Sequence, residues 1–296
     1  MTEVEIRVSP QWLELREPAD AAARSTALVT TLAAALEGQA LEGAAPTLGD
    51  RRGDSVSHRR IVVHDLGSGS GSMGRWLGPL LEGPQHWVLH DWDPDLLRGA
   101  VGDPPPATTN GGAVTVETRL GDITQLTPED LGGASLVTAS ALLDMLTAAE
   151  IGRLVGAVVV AACPALLTLS VTGHITLGPS DPWDAVLEAA FNDHQRRTLG
   201  DRQLLGPDAA RVAADSFRAV GWSVELAASP WCLDSQSAEL AAEWLKGWVG
   251  AACEQRPELG DIGASYLARR RNLFERGLAV TVQHVDLLAL PPGGGR

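Results

Sequence analysis

Lysine is nearly missing from this 296-residue chain: Lys246 is the only one, and 23 Lys+Arg stand against 37 Asp+Glu for a formal net charge of −14. Proteins hold a phosphate backbone by displacing its counterions with Lys and Arg, so this balance argues against nucleic acid as a partner. The one local basic run, Arg269-Arg270-Arg271, reads as a solvated helix face. Cysteine is scarce as well. Cys163, Cys232 and Cys253 lie far apart and form no CxxC pair, which excludes a disulfide framework or zinc knuckle and leaves reduced core thiols, with no metal expected. No uninterrupted apolar run approaches the roughly 18 residues of a membrane span. The start, Met1 to Arg7, lacks the basic-then-apolar pattern of a secretory signal. A soluble, cytoplasmic protein without a membrane partner is expected.

What is present is an apolar run that ends in an acid and alternating glycines: Ile61-Val62-Val63-His64-Asp65-Leu66-Gly67-Ser68-Gly69-Ser70-Gly71. An apolar run of this length reads as a buried strand, and glycine directly after it lets the backbone turn sharply against a ligand. This is a nucleotide-binding turn. Strand-like and helix-like segments alternate from there on, the pattern of a parallel sheet covered on both faces. Strands are expected at 61–66, 86–90, 114–118, 135–139 and 165–171, then at Trp222–Ala227 and Leu278–Leu287. Helices are expected at Ala19–Leu36, with Asp20 as N-cap and Gly38 as the stop, at Leu142–Val160, at Pro182–Arg197 and at Pro207–Val220. Far more chain separates the last two strands than a hairpin needs, and its helical pattern at Ala238–Cys253 and Ile262–Arg276 suggests a cap.

Two ligands compete for the turn, because Gly69-Ser70-Gly71-Ser72-Met73-Gly74 also satisfies the dinucleotide pattern G-x-G-x-x-G. Asp65 favours one of them: an acid at that place would repel a pyrophosphate and suits a ligand that is cationic nearby, such as the amino group and sulfonium of S-adenosyl-L-methionine. Asp91, about 20 residues beyond Gly71, is placed to accept from ribose hydroxyls with either ligand. After the third strand, Asp122 can accept from an adenine amino group while Ile123 packs on the ring.

On these residues the chain resembles the class I, Rossmann-like S-adenosylmethionine-dependent methyltransferases, across roughly 60–230 and again at the last strand. The matching residues are Asp65 to Gly71 for the methionine-binding loop, Asp91 for the ribose, Gly121-Asp122-Ile123 for the adenine, and Leu136 to Asp144 after the fourth strand. The resemblance implies a doubly wound α/β fold with a seven-stranded, mostly parallel sheet in the order 3-2-1-4-5-7-6, the last strand antiparallel. It implies cofactor contacts from Asp65, Gly67, Ser68, Gly69, Gly71, Asp91, Trp92, Asp122, Ile123 and Ser140, with S-adenosyl-L-homocysteine as product. Ser140-Ala141-Leu142-Leu143 departs from the Asn/Asp-Pro-Pro-Tyr that family members acting on amide or exocyclic amine nitrogens often carry, which disfavours that chemistry. The domain plan is an N-terminal helix or lid with a flexible linker at 1–59, the methyltransferase domain at 60–290 with cap insertions at about 178–200 and 235–276, and a disordered tail at 291–296.

Methyl transfer from a sulfonium is an in-line displacement, and a base is needed only where the acceptor holds a proton. His174 and His194 are the candidates, each set against the competing role of a local hydrogen bond or a solvent-facing ring. Asp144 reads as structural or as a ligand to the cofactor's amino end. Arg196 and Arg197 either recognise an acceptor anion or pair with surface acids. Trp183, Trp231, Trp244 and Trp248 belong to the core by default or line an acceptor pocket, and Trp12 with the first helix suggests a lid by family analogy. The expected function is methylation of a small-molecule acceptor, at oxygen, by a monomer or homodimer. The alternatives are an NAD(P)-dependent oxidoreductase and a catalytically inactive nucleotide-binding regulatory protein.

Overall fold

The computed structural model describes residues 8–43, 60–108, 110–273 and 277–293. The expected linker lies largely outside the described residues, as do the start of the chain and 294–296. Two helices come first, α1 (Pro10–Ala23) and α2 (Thr26–Gly43). The alternating region follows as β1 (Ile61–Leu66), α3 (Ser72–Leu77), β2 (Gln85–Asp91), α4 (Pro94–Gly102), β3 (Val114–Leu120), β4 (Leu136–Ser140), α5 (Ala148–Ala161) and β5 (Ala165–Gly178). Next come α6 (Asp184–Gln195), the small hairpin β6 (Thr198–Leu199) and β7 (Arg202–Gln203), α7 (Ala209–Ala219), β8 (Ser223–Ala228), β9 (Trp231–Leu233), α8 (Ala238–Gln255), α9 (Gly260–Arg271) and β10 (Ala279–Leu290).

The main sheet runs β3-β2-β1-β4-β5-β10-β8, with β9 also paired to β10. β1 to β5 are parallel and β10 is antiparallel to both β5 and β8. This is the expected order 3-2-1-4-5-7-6 with a reversed last strand, a doubly wound, Rossmann-like α/β fold. Side chains alternate across it as the pleat requires. One face buries Leu66, Val137, Ala139, Leu167 and Leu287 against α5 and α7, where Ile151, Leu154, Val158 and Phe217 interlock. The other buries Val63, Leu136, Leu166 and Leu288 against Leu28, Val29, Leu32 and Leu36 of α2 and against α3.

The N-terminal region departs from expectation. Ser9 caps α1 in place of Asp20, its Oγ accepting from Trp12 N at 3.1 Å, with Pro10 at the first helical position where a missing N–H costs nothing. Asp20 lies inside the helix and is buried; the helix breaks at Arg24 and resumes, running through Gly38 to Gly43. The helix after β4 starts later than expected, because Thr147 and Glu150 form a capping box ahead of α5.

Beside the sheet, α6, α8 and α9 pack together around aromatic side chains. Trp244 and Trp248 stack at 5.5 Å and Trp248 tilts against Tyr266 at 6.1 Å. Two of the tryptophans considered for an acceptor pocket are therefore core residues of this bundle. The arginine run is not uniformly solvated either: Arg270 is 1% exposed and bonds Asp184 and the Pro179 carbonyl oxygen. Cys163 is buried as expected, whereas Cys232 is exposed.

A polar knot sits in the N-terminal half of β5. Between Ser170 and Leu167 of β5 the ladder steps three residues against two of β10 (Val285 to Leu287), which makes a bulge, and Leu169 takes φ +55° there. A left-handed leucine is strained. The amide it exposes is taken by Asp286, whose Oδ1 accepts from Leu169 N at 2.8 Å and Ser229 Oγ at 2.6 Å, while Oδ2 accepts from Ser25 N at 2.7 Å. Asp286 is fully buried, and burial raises its pKa against the pull of these donors. Asp286→Ala leaves buried donors unmatched on three segments, so unfolding in urea is expected to show a loss of about 3 kcal/mol or more. A loss below about 1 kcal/mol would mean that water replaces the carboxylate at little cost.

Candidate functional site

β1 is apolar until Asp65 and Leu66, and the chain then reverses through Gly67, Gly69 and Gly71 at φ +62°, +54° and +82°. A side chain at Gly67 would lie 2.9 Å from Leu142 Cδ1, and one at Gly69 would lie 3.3 Å from Leu13 Cδ1, so both space and backbone angle require glycine. Backbone bonds fasten this turn to the end of β2. Ser68 N donates to the His90 carbonyl at 2.9 Å and Gly69 N to Asp91 Oδ2 at 2.8 Å. Asp93 N donates to the other Asp91 oxygen at 2.9 Å, and Gly121 N to the Asp91 carbonyl at 3.0 Å. The turn and the ends of β2 and β3 thus meet at Asp91, whose pKa burial raises.

Asp65 is buried on the inner side of the turn. Its Oδ1 accepts from Thr138 Oγ1 at 2.7 Å, and its Oδ2 has no partner among the described residues. Burial pushes its pKa up to about 7, opposed by the Thr138 bond and by Arg24. Ser68 contributes a second buried oxygen without a partner. Trp92 is half-buried directly after Asp91. Asp122 is exposed and caps its own turn, accepting from Thr124 N at 2.9 Å and Thr124 Oγ1 at 2.7 Å, while Ile123 leans on the core under α5.

The largest contribution that sequence reasoning missed comes from α1. Arg75, one turn beyond Gly71, donates to Ser70 O at 2.7 Å and pairs with both oxygens of Glu17 at 2.7 and 2.5 Å. Asp20 accepts from Arg16 Nε at 2.9 Å and from Trp231 Nε1 at 3.0 Å. Arg24, at the break between α1 and α2, reaches Ser140 Oγ at 2.9 Å and Ser72 Oγ at 3.3 Å, with its guanidinium carbon 5.3 Å above Trp76. A signal was available: Arg16, Asp20 and Arg24 recur every four residues in an Ala-rich helix, which puts three charges on one stripe.

The candidate bases are dispersed. His174 has an 80% exposed side chain, 3.7 Å from Glu188, in an open groove of about 780 Å³ that Leu226 and Gln283 also line. None of the residues lining that groove belongs to the glycine turn or to the ends of β1 and β2. His194 ends α6 between Arg197, 3.2 Å from Nδ1, and Glu254, 3.4 Å from Nε2; burial lowers its pKa. Arg196 pairs with Asp208 at 2.8 Å. Asp144 follows β4 two residues after Leu142, the side chain that packs on Gly67; burial pushes its carboxyl up to about 6, against the attraction of Arg16 and Arg197. No cluster of metal-binding side chains occurs among the described residues, and no helix there is long and apolar enough to cross a membrane.

No family model and no curated protein matches the chain. Among solved structures it is similar to a SAM-dependent methyltransferase from Geobacter sulfurreducens in complex with S-adenosyl-L-homocysteine, at 16% identity over 96% of this chain and 98% of that one, with a TM-score of 0.41. A second, from Thiobacillus denitrificans and with the same ligand, is 16% identical over 97% and 100% with a TM-score of 0.40. A loganic acid methyltransferase with SAH is 11% identical over 94% of each chain with a TM-score of 0.48.

Asp65 yields a pH test with a definite sign. Its folded pKa of about 7 lies above the ordinary 3.8, so the ionised form is penalised in the native state. The resulting cost is absent below about pH 4, grows as pH rises, and is complete above about pH 7. Asp65→Asn is therefore expected to stabilise the fold at pH 8, by up to about 4 kcal/mol, and to leave it unchanged at pH 4. Urea titrations at both pH values check this, and a difference independent of pH would refute it.

Proposed function

We propose that the glycine turn binds S-adenosyl-L-methionine and that the protein transfers its methyl group to a small-molecule acceptor, at oxygen. One observation carries this reading: Asp65 lies buried against the turn with one oxygen unpartnered, a place for an ammonium group and not for a pyrophosphate. Asp91 is assigned to the ribose: its carboxylate, held by the amides of Gly69 and Asp93, lies where the turn meets the ends of β2 and β3. Asp122 and Ile123 are assigned to the adenine end. Ser68, Trp92 and Ser140, with the three glycines, complete the cofactor contacts in this proposal.

The bound cofactor supplies an electrophilic methyl carbon on a sulfonium. The chain's own residues have to hold the acceptor in line with that carbon and take up its proton, because the C–S bonding pair leaves with sulfur as the new C–O bond forms. For the proton we assign Asp144 in place of His174: it follows β4, whose last residues flank the turn, whereas His174 opens into a separate groove. His194 is kept as the second candidate. A carboxyl held near pKa 6 is a usable base at neutral pH. In this proposal α1 is a lid over the turn, and α6, α8 and α9 form the cap that chooses the acceptor. The acidic surface favours a metabolite over nucleic acid, and a cytoplasmic monomer or homodimer completes the reading.

Isothermal calorimetry with S-adenosyl-L-homocysteine and with NADH is the direct test. Micromolar binding of the former is expected, weakened about tenfold or more in Asp91→Ala, the range for hydrogen bonds to a charged group. Silence with S-adenosyl-L-homocysteine at millimolar concentration, or tight NADH binding, would overturn the proposal.

A further inference from the structure

Arg24 is buried without a carboxylate partner. Its side chain reaches the surface by 3%, and its two hydrogen bonds, both from Nη2, end on the neutral hydroxyls of Ser72 and Ser140. Nε and Nη1 are buried and make no bond among the described residues, so three N–H groups of one guanidinium are left over. The acids that could answer it are otherwise engaged: Asp20 by Arg16 and Trp231, Asp286 by Ser25, Leu169 and Ser229. A buried cation in this state costs several kcal/mol unless an anion completes it.

The geometry also fixes where that anion belongs. Ser25 N is tied to Asp286 and Arg24 N to the Asp20 carbonyl, which pins the backbone on both sides of the side chain. Ser72 directly follows Gly71, and Ser140 ends β4, the neighbour of β1. Arg24 therefore stands beside the same turn whose inner side carries the unpartnered oxygen of Asp65, near enough for the two charges to attract. A cation and an anion, each with open valences, flank one glycine turn. The two-charge group that answers both is an α-amino acid, its carboxylate on one and its ammonium on the other.

We propose that Arg24 is the carboxylate anchor of this site, so that Arg24 and Asp65 together recognise the amino-acid half of the cofactor. This rests on the methyl-donor reading above. Arg24 is a binding residue here and takes no part in bond making. It also makes the N-terminal helices part of the site, because the anchor arrives only when α1 and α2 are docked.

The test compares three ligands by calorimetry: S-adenosyl-L-homocysteine, its decarboxylated analogue, and 5′-methylthioadenosine, which lacks the whole amino acid. Wild-type protein is expected to prefer S-adenosyl-L-homocysteine to the decarboxylated analogue by about 10- to 100-fold, the range for a charge-assisted pair. In Arg24→Met that preference should fall to within about threefold while 5′-methylthioadenosine binds as before, and Arg24→Lys should recover part of it. Equal weakening of all three ligands in Arg24→Met would make Arg24 merely structural and overturn the inference, as would an unchanged preference. If Arg24→Met does not fold, Arg24→Lys decides: it must narrow the preference without altering 5′-methylthioadenosine binding. Wild-type protein that binds none of the three would instead sink the methyl-donor reading, and wild-type protein indifferent to the carboxylate would sink the anchor alone.

Discussion

Asp286 accepts from Ser25, Leu169 and Ser229, and so joins the break between the N-terminal helices, the bulge in β5 and the link from β8 to β9. A buried carboxylate is costly, and three donors are what make it tolerable. Each partner leads somewhere. Ser25 holds the backbone beside Arg24; Leu169 marks the point where β5 bends away from a regular ladder; Ser229 comes just before Trp231, which bonds Asp20 and tilts against His284. The N-terminal helices, the strained strand and the first part of the helical addition are thereby set relative to one another from one side chain.

Around the glycine turn the charges are held in an uneconomical state. Asp65 is driven toward neutrality by burial, Asp144 likewise, and Arg24 has no ion-pair partner among the described residues. None of this helps the chain fold. Sites that must bind commonly carry such penalties, which the rest of the structure offsets. Here the offset is visible in two apolar faces of the sheet and in the packed rings of Trp244, Trp248 and Tyr266 in the helical bundle.

Much of the parallel sheet was legible in the sequence because buried strands are apolar runs that end where polar turns begin. Asp65 and Asp91 stood out as the acids that close such runs, whereas Asp122 follows β3, a largely exposed strand that already carries Glu117 and Arg119. The first half of α1 escaped notice because its hydrophobic stripe is weak: beside Trp12 and Leu15 packed on the bundle, it is held by ion pairs and by Leu13 resting on Gly69, contacts that local periodicity does not encode. The tryptophans were ambiguous for another reason. Composition says that aromatic mass must be buried somewhere, but only packing shows that Trp244 and Trp248 face each other instead of a pocket. Arg270 shows the converse, a charge in a basic run that is wholly enclosed because Asp184 and a carbonyl oxygen meet it.

The bond from Ser25 to Asp286 spans 261 residues. At ribosomal rates of about 5–20 residues per second, the first helices wait on the order of 13–50 s before the strand that fastens them exists. Until then the glycine turn can form with its own neighbours, but Arg24 has no fixed station above it. The placement of Arg24 is thus tied to the synthesis of β10: a nascent chain that stops short of Asp286 carries every residue of the turn and still lacks the bond that fixes Ser25 beside it.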